Sequence, residues 1–220
     1  LSTTQIYQPV TKTFSQSDPL GGQSAAIVYG KGQAVLAMFE TWLGEAKFKA
    51  GVRRYMAKHA WGNATGEDFV DALAQGDREL TAAFRTFTHQ PGIPRVTVAL
   101  KCDANPRLEL TQSRFLPSGI KDTRASLWWI PVTVRTPSGT AQILLKEKTG
   151  QLPLPDAACP AWVQANVHGS GYYRAVYAPG QMAVLMERAN LSVPELLANL
   201  SDMQALTESG DLSVTELLRS

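Results

Sequence analysis

The sequence is poor in the side chains that build reactive centres: its 220 residues include two cysteines and three histidines. His59, His89 and His168 have no second His or Glu at metal-ligand spacing and HExxH is absent, so no metal site or other cofactor is expected within this chain. No Gly-x-Ser-x-Gly elbow or phosphate-cradling glycine loop occurs; Tyr29-Gly30-Lys31-Gly32 is glycine-rich but follows no strong strand. Charged residues make up only 18% of the chain, and 21 Lys and Arg against 19 Asp and Glu leave a net charge of +2, which excludes a dedicated nucleic-acid binder. No apolar run approaches the roughly 18 residues of a membrane span. Leu1 and the polar Ser2-Thr3-Thr4-Gln5 give neither an initiator methionine nor a signal peptide, and the chain reads as an internal piece of a longer protein.

The chain does have apolar content, 44%, which suffices for packed cores and fits one large or two modest domains. Val28, Val35, Met38, Phe39, Trp42 and Leu43 fall at near-helical spacing, with Gly44 as a stop. Phe48, Val52, Tyr55 and Met56 repeat the pattern, with Lys47, Lys49, Arg53, Arg54 and Lys58 as the solvated side. Thr65 and Asp68 have capping-box spacing ahead of a third helix carrying Phe69, Ala72 and Leu73. Leu80, Phe84 and Phe87 mark a fourth, which ends at His89-Gln90-Pro91-Gly92-Ile93-Pro94. His59 is read as a helix-end residue and His89 as a turn residue.

After Pro94 the period becomes two: Val96, Val98, Leu100; Leu108, Leu110; Ile130, Val132, Val134. Residues 141–148 and 171–177 are further candidate strands, and Pro, Gly and Ser clusters separate the runs at intervals typical of a small β-sandwich. Beyond Gly180 three Ser-x-x-Glu/Gln pairs follow: Ser192 with Glu195, Ser201 with Gln204, Ser213 with Glu216. They predict three short helices, the start of an array that continues past Ser220. The fold class expected is therefore multidomain α+β. Cys102 and Cys159 lack CxxC spacing, which leaves a disulfide or two buried thiols open.

The residues 27–36 and 43–55, then Asn63-Ala64-Thr65, Asp68-Phe69, Gln90-Pro91-Gly92-Ile93-Pro94, Trp129-Ile130-Pro131, Asn166 and Gly171-Tyr172-Tyr173-Arg174-Ala175-Val176-Tyr177 form an ordered series. In order and spacing this series closely resembles the aminopeptidase N family of zinc metallopeptidases. The resemblance implies that residues 1–92 are the C-terminal helical part of a thermolysin-like catalytic domain, 93–178 a β-sandwich, and 179–220 the start of a helical C-terminal domain. It further implies that the zinc-binding HExxH, its downstream glutamate and the Gly-x-Met-Glu-Asn segment lie before Leu1, with zinc held in the full-length parent. Zinc there would polarise the scissile carbonyl and activate a water whose proton passes to the HExxH glutamate.

Tyr29 matches the family's catalytic tyrosine in Tyr-x-Lys-Gly, whose hydroxyl would stabilise the oxyanion of the tetrahedral intermediate. Lys31 and Gly32 are read as structural, Gly32 allowing close helix packing and Lys31 being paired nearby. Trp128, Trp129, Tyr172 and Tyr173 are read as core or interdomain packing. The expected function is a fragment of an aminopeptidase acting on peptides with a free N-terminus, inactive without the remainder of its parent polypeptide. Partners would be that peptide substrate and that remainder, with no nucleic acid and no membrane span. The competing reading is a non-catalytic adaptor whose sandwich and helical array bind another protein. Cys159 precedes Pro160 outside the alternating runs, which suits a tether; with it goes the expectation of a Cys102–Cys159 disulfide and a periplasmic or secreted parent, a cytoplasmic one being the alternative.

Overall fold

Gly44 divides the first two helices, α1 (Gly32–Leu43) and α2 (Glu45–Lys58): its φ of +81° turns the chain, and its amide donates to the carbonyl of Glu40. The computed structural model describes residues 30–120, 122 and 126–213. The chain divides into two units between Pro91 and Gly92.

In the first unit, α3 (Gly66–Ala74) and α4 (Arg78–Thr88) complete a set of four helices among the described residues. The expected capping box is present: the amide and hydroxyl of Thr65 donate to the Asp68 carboxylate at 2.8 and 2.7 Å, and the Asp68 amide returns a bond to the hydroxyl at 3.2 Å. The Asp77 carboxylate starts α4 by accepting from the amides of Glu79 and Leu80. Val35, Met38 and Phe39 of α1 are buried, as are Leu80, Phe84 and Phe87 of α4. The Phe39 and Phe84 rings stack with centroids 3.6 Å apart and Phe87 meets Phe39 edge-on at 6.2 Å. Each such side chain contributes about 2 kcal/mol by leaving water. Two expectations need correction. Nothing lies within 4 Å of a Cβ built at Gly32 among the described residues, so it is a close approach to none of them; Gly51 is one, because a Cβ there would meet Leu73 Cδ2 at 2.5 Å. Met56, expected on the inner face of α2, is exposed.

Among the described residues the second unit has a four-stranded sheet and a two-stranded one. Strands β1 (Pro94–Lys101) and β2 (Arg107–Arg114) pair antiparallel, β5 (Thr149–Pro153) flanks β2, and β6 (Arg174–Tyr177) runs parallel to β1. The other sheet is the hairpin of β3 (Ile130–Thr136) and β4 (Gly139–Leu145). Alternation places Val96, Val98, Leu108, Leu110, Ile130, Val132 and Val134 in the core beside Trp128. Gln112 is buried among them: its side-chain amide donates to the carbonyls of Trp128, Leu145 and Glu147 and accepts from the Trp128 amide. The run expected over 141–148 ends at Leu145, and β5 follows as an unforeseen strand. Its Gly150 and Pro153 have low strand propensity, and an edge position tolerates them.

Helices α5 (Gln181–Arg188) and α6 (Val193–Ser209) close the described part of this unit. Ser192 and Glu195 form the expected capping box. The expectation of a separate helix at Ser201 is wrong: α6 is continuous, and the Ser201 hydroxyl accepts from Arg174 at 3.0 Å. The Ser213–Glu216 pair extends outside the described residues. Over the first ten residues of α6 the usual arrangement is inverted. Glu195, Asn199 and Asp202 are buried, while Val193, Leu196, Leu197 and Leu200 are exposed.

Candidate functional site

Tyr29, the catalytic candidate, lies outside the described residues. The structure describes the motif from its next residue: Gly30 and Lys31 form a π-type turn that leads into α1. Lys31 is buried, and its ammonium donates to the carbonyl oxygen of Gln90 at 2.7 Å. Two separate members of the ordered series, Tyr-x-Lys-Gly and Gln-Pro-Gly-Ile-Pro, are thus joined directly. The expected pairing of Lys31 is present, although the backbone partner was not foreseeable from residue types.

A shallow depression beside this junction is lined by Glu67, Arg85, Thr86, His89 and Gln90. Arg85 donates to one Glu67 oxygen through Nε at 3.1 Å and Nη2 at 2.6 Å, and this bonding holds the Glu67 carboxyl below its usual range. His89 caps the end of α4, with Nε2 3.9 Å from the other Glu67 oxygen; His59 caps the end of α2, 3.8 Å from Asp68. Both histidines are therefore helix-end residues. Among the described residues no group of three or more His, Cys, Asp or Glu could hold a metal ion.

In the second unit the series residues build a structural corner. Asn166 accepts from the Gly171 amide at 2.7 Å, Tyr173 donates to the Ala165 carbonyl at 2.5 Å, and Tyr177 accepts from the Ala165 amide at 2.8 Å. Burial, above all, pushes the Tyr173 and Tyr177 hydroxyls far above their usual range, so both remain neutral donors. Arg174 and the Ala175 amide each reach the Asp202 carboxylate at 2.9 Å, and Arg135 and the His168 amide reach Glu195 at 3.0 and 3.3 Å. Asn199 donates to Gln164 at 3.3 Å between these pairs. This polar seam was missed because a stripe of Glu, Asn and Asp on a helix ordinarily faces water. Cys102 and Cys159 form a disulfide with Cα atoms 5.2 Å apart.

Residues 3–87 match the model of the peptidase family M1 domain. Over these residues the chain is similar to peptidase family M1. It is 30% identical over 203 residues to puromycin-sensitive aminopeptidase of Caenorhabditis elegans, covering 88% of this chain and 21% of that protein. Over 215 residues it is 29% identical to mitochondrial aminopeptidase 2 of Saccharomyces cerevisiae, covering 96% and 22%. Tricorn protease-interacting factor F2 of Thermoplasma acidophilum is 29% identical over 212 residues, covering 96% and 25%. The chain thus spans only about a fifth to a quarter of the length of the M1 relatives it matches. Of the features described, the M1 match takes in the helices of the first unit up to Phe87 and the Gly30–Lys31 turn, whereas the similarity to whole relatives also covers the β-rich unit.

Proposed function

We propose that this chain is part of a zinc-dependent aminopeptidase that removes N-terminal residues from peptides. The observation that carries the reading is the similarity to aminopeptidases over 88–96% of the chain, with Tyr29-Gly30-Lys31-Gly32 intact inside the M1 match. In this reading residues 1–92 are the C-terminal helical part of a thermolysin-like catalytic domain, 93–178 a β-sandwich and 179–220 the start of a helical domain. The change from helices to strands at Pro94 and the two sheets beyond it support that layout. The zinc does not fit the described residues, which offer no ligand cluster, and its ligands are assigned to the remainder of the parent polypeptide.

The role of this chain is to supply Tyr29. Its hydroxyl donates a hydrogen bond to the oxygen that becomes anionic as the peptide carbonyl turns tetrahedral, a bond that strengthens as charge develops; loss of one such donor costs roughly 3 kcal/mol of barrier. The substrate is a peptide with a free N-terminus. The disulfide supports an oxidising compartment, a periplasmic or secreted one; the relatives lend that no support, and one carries the name mitochondrial.

In the full-length parent, Tyr29→Phe is expected to lower kcat on the order of 100-fold with zinc content and melting temperature unchanged. Activity within about twofold of wild type overturns the role of Tyr29. The 220-residue chain by itself is expected neither to hold zinc nor to cleave aminoacyl chromogenic substrates; one tightly held zinc per chain in elemental analysis overturns this.

A further inference from the structure

Trp61 departs from expectation twice. It lies in the turn between α2 and α3 with φ of +63°, a left-handed conformation that strains a bulky side chain. The next residue, Gly62, would take that conformation freely and does not. The base of the turn is fixed: the Gly62 amide donates to the His59 carbonyl at 3.1 Å, and the His59 ring packs on Tyr55 with centres 5.4 Å apart and Nε2 3.8 Å from the Asp68 carboxylate. On this fixed base the indole is 105% exposed, as open to water as in an unfolded chain.

The exposed surface continues along α2. Lys49, Arg53, Met56, Ala57 and Ala60 recur at three- and four-residue spacing, so they share one side of the helix, and all are exposed, Met56 at 63%. The helix carries five basic residues against one acidic one, Glu45. Lys49 is paired with Glu45, whereas Arg53 has no carboxylate partner among the described residues. Trp, Met and Arg are the residue types concentrated where proteins meet, and a buried indole is a common anchor there. An indole beside small side chains and positive charge fits one kind of partner: a surface with an apolar socket ringed by carboxylates.

We propose that the face formed by Arg53, Met56 and Trp61 is a docking surface for an acidic part of the parent polypeptide outside these 220 residues, with an apolar socket that receives the indole. The chain spans only about a fifth to a quarter of the length of the relatives it matches, so most of such a parent remains to be packed against it. The proposal rests on the reading of the chain as part of a longer protein and not on the chemistry of Tyr29. Docking buries the indole, pairs Arg53 and gives the strained turn its use.

The test is hydroxyl-radical footprinting and carbodiimide cross-linking of the full-length parent, both read by mass spectrometry. Trp61 is expected to be oxidised at least about tenfold more slowly in the folded parent than in urea, as a buried anchor is. Cross-links should join Lys49 or Lys58 to Asp or Glu outside residues 1–220, and should fall at least about fivefold in the Trp61→Ala/Arg53→Glu double variant. Oxidation of Trp61 in the folded parent at the rate found in urea overturns the proposal, and that measurement needs no variant to fold. Cross-links confined to residues 1–220, links between two copies of the parent, or protection that appears only with vesicles of anionic lipid overturn it equally. Zinc content and peptidase activity of the same parent are measured alongside; their absence overturns the aminopeptidase reading and leaves the docking face standing.

Discussion

The Glu195 carboxylate on α6 and the Arg135 guanidinium on β3 meet at 3.0 Å, 60 residues apart in sequence. The same carboxylate accepts from the Ser192 amide and hydroxyl and from the His168 amide, so one side chain both starts α6 and docks it on the sheet. Glu195→Ala leaves all four donors without it and is expected to destabilise the chain by about 3 kcal/mol, whereas Arg135→Met, at a partly exposed partner, should cost about 1. Urea unfolding checks both; a cost for Glu195→Ala no larger than that for Arg135→Met contradicts the assignment. Burial, the largest influence on Glu195, raises its pKa, but its donors together outweigh it and hold the carboxyl below the ordinary range. Its stabilisation is thus present above the unfolded value of about 4.5 and lost as pH falls through the lower folded value.

Asp202 gives the opposite pH dependence. Burial pushes its carboxyl up to about 6, although Arg174 and the Ala175 amide pull it down; Tyr173 and Tyr177 also face it. A folded pKa above the unfolded one gives stability that is complete below about pH 4 and is lost as pH rises through about 6. Asp202→Asn should flatten that decline. Unfolding free energies of the two proteins between pH 4.5 and 7.5 decide it, and parallel curves would show that Asp202 does not titrate in this window.

Gly51 and Gly32 separate packing from propensity. A methyl at Gly51 would meet Leu73 Cδ2 at 2.5 Å and Leu73 Cα at 3.1 Å, so Gly51→Ala should destabilise by about 1–3 kcal/mol despite better helix propensity. Gly32→Ala, with nothing described within 4 Å, should remain within about 1 kcal/mol of wild type. Thermal melts of the two variants rank them; the reverse order would mean that the α2–α3 contact relaxes freely.

The Cys102–Cys159 bond closes a loop of 57 residues and, on the chain-entropy model, contributes about 4 kcal/mol. Reduction should lower the unfolding midpoint accordingly. Thiol titration under denaturing, non-reducing conditions, on protein from its native compartment, should find no free thiols. Two would remove the disulfide and the argument for an oxidising compartment with it.

Periodicity alone determined most of the secondary structure, because an apolar residue recurring every three to four positions or every two has one way to reach a core. Phe39, Phe84 and Phe87 on one side of Pro94 and Val96, Val98 and Leu110 on the other behave as their spacing requires. The Thr65–Asp68 box was equally legible, since both partners lie within a single turn. Ser201-x-x-Gln204 carries the same local pattern and starts nothing: α6 runs through it, and the hydroxyl serves Arg174 from a distant strand. Gln112, Lys31 and the seam of Glu195, Asn199 and Asp202 were hidden for the same reason, their partners lying 16 to 60 residues away as backbone carbonyls, amides or remote side chains. Residue type states what a polar group needs; only the tertiary structure decides which distant group meets that need, because the cost of burying it unmet is settled by whatever the fold brings within 3 Å.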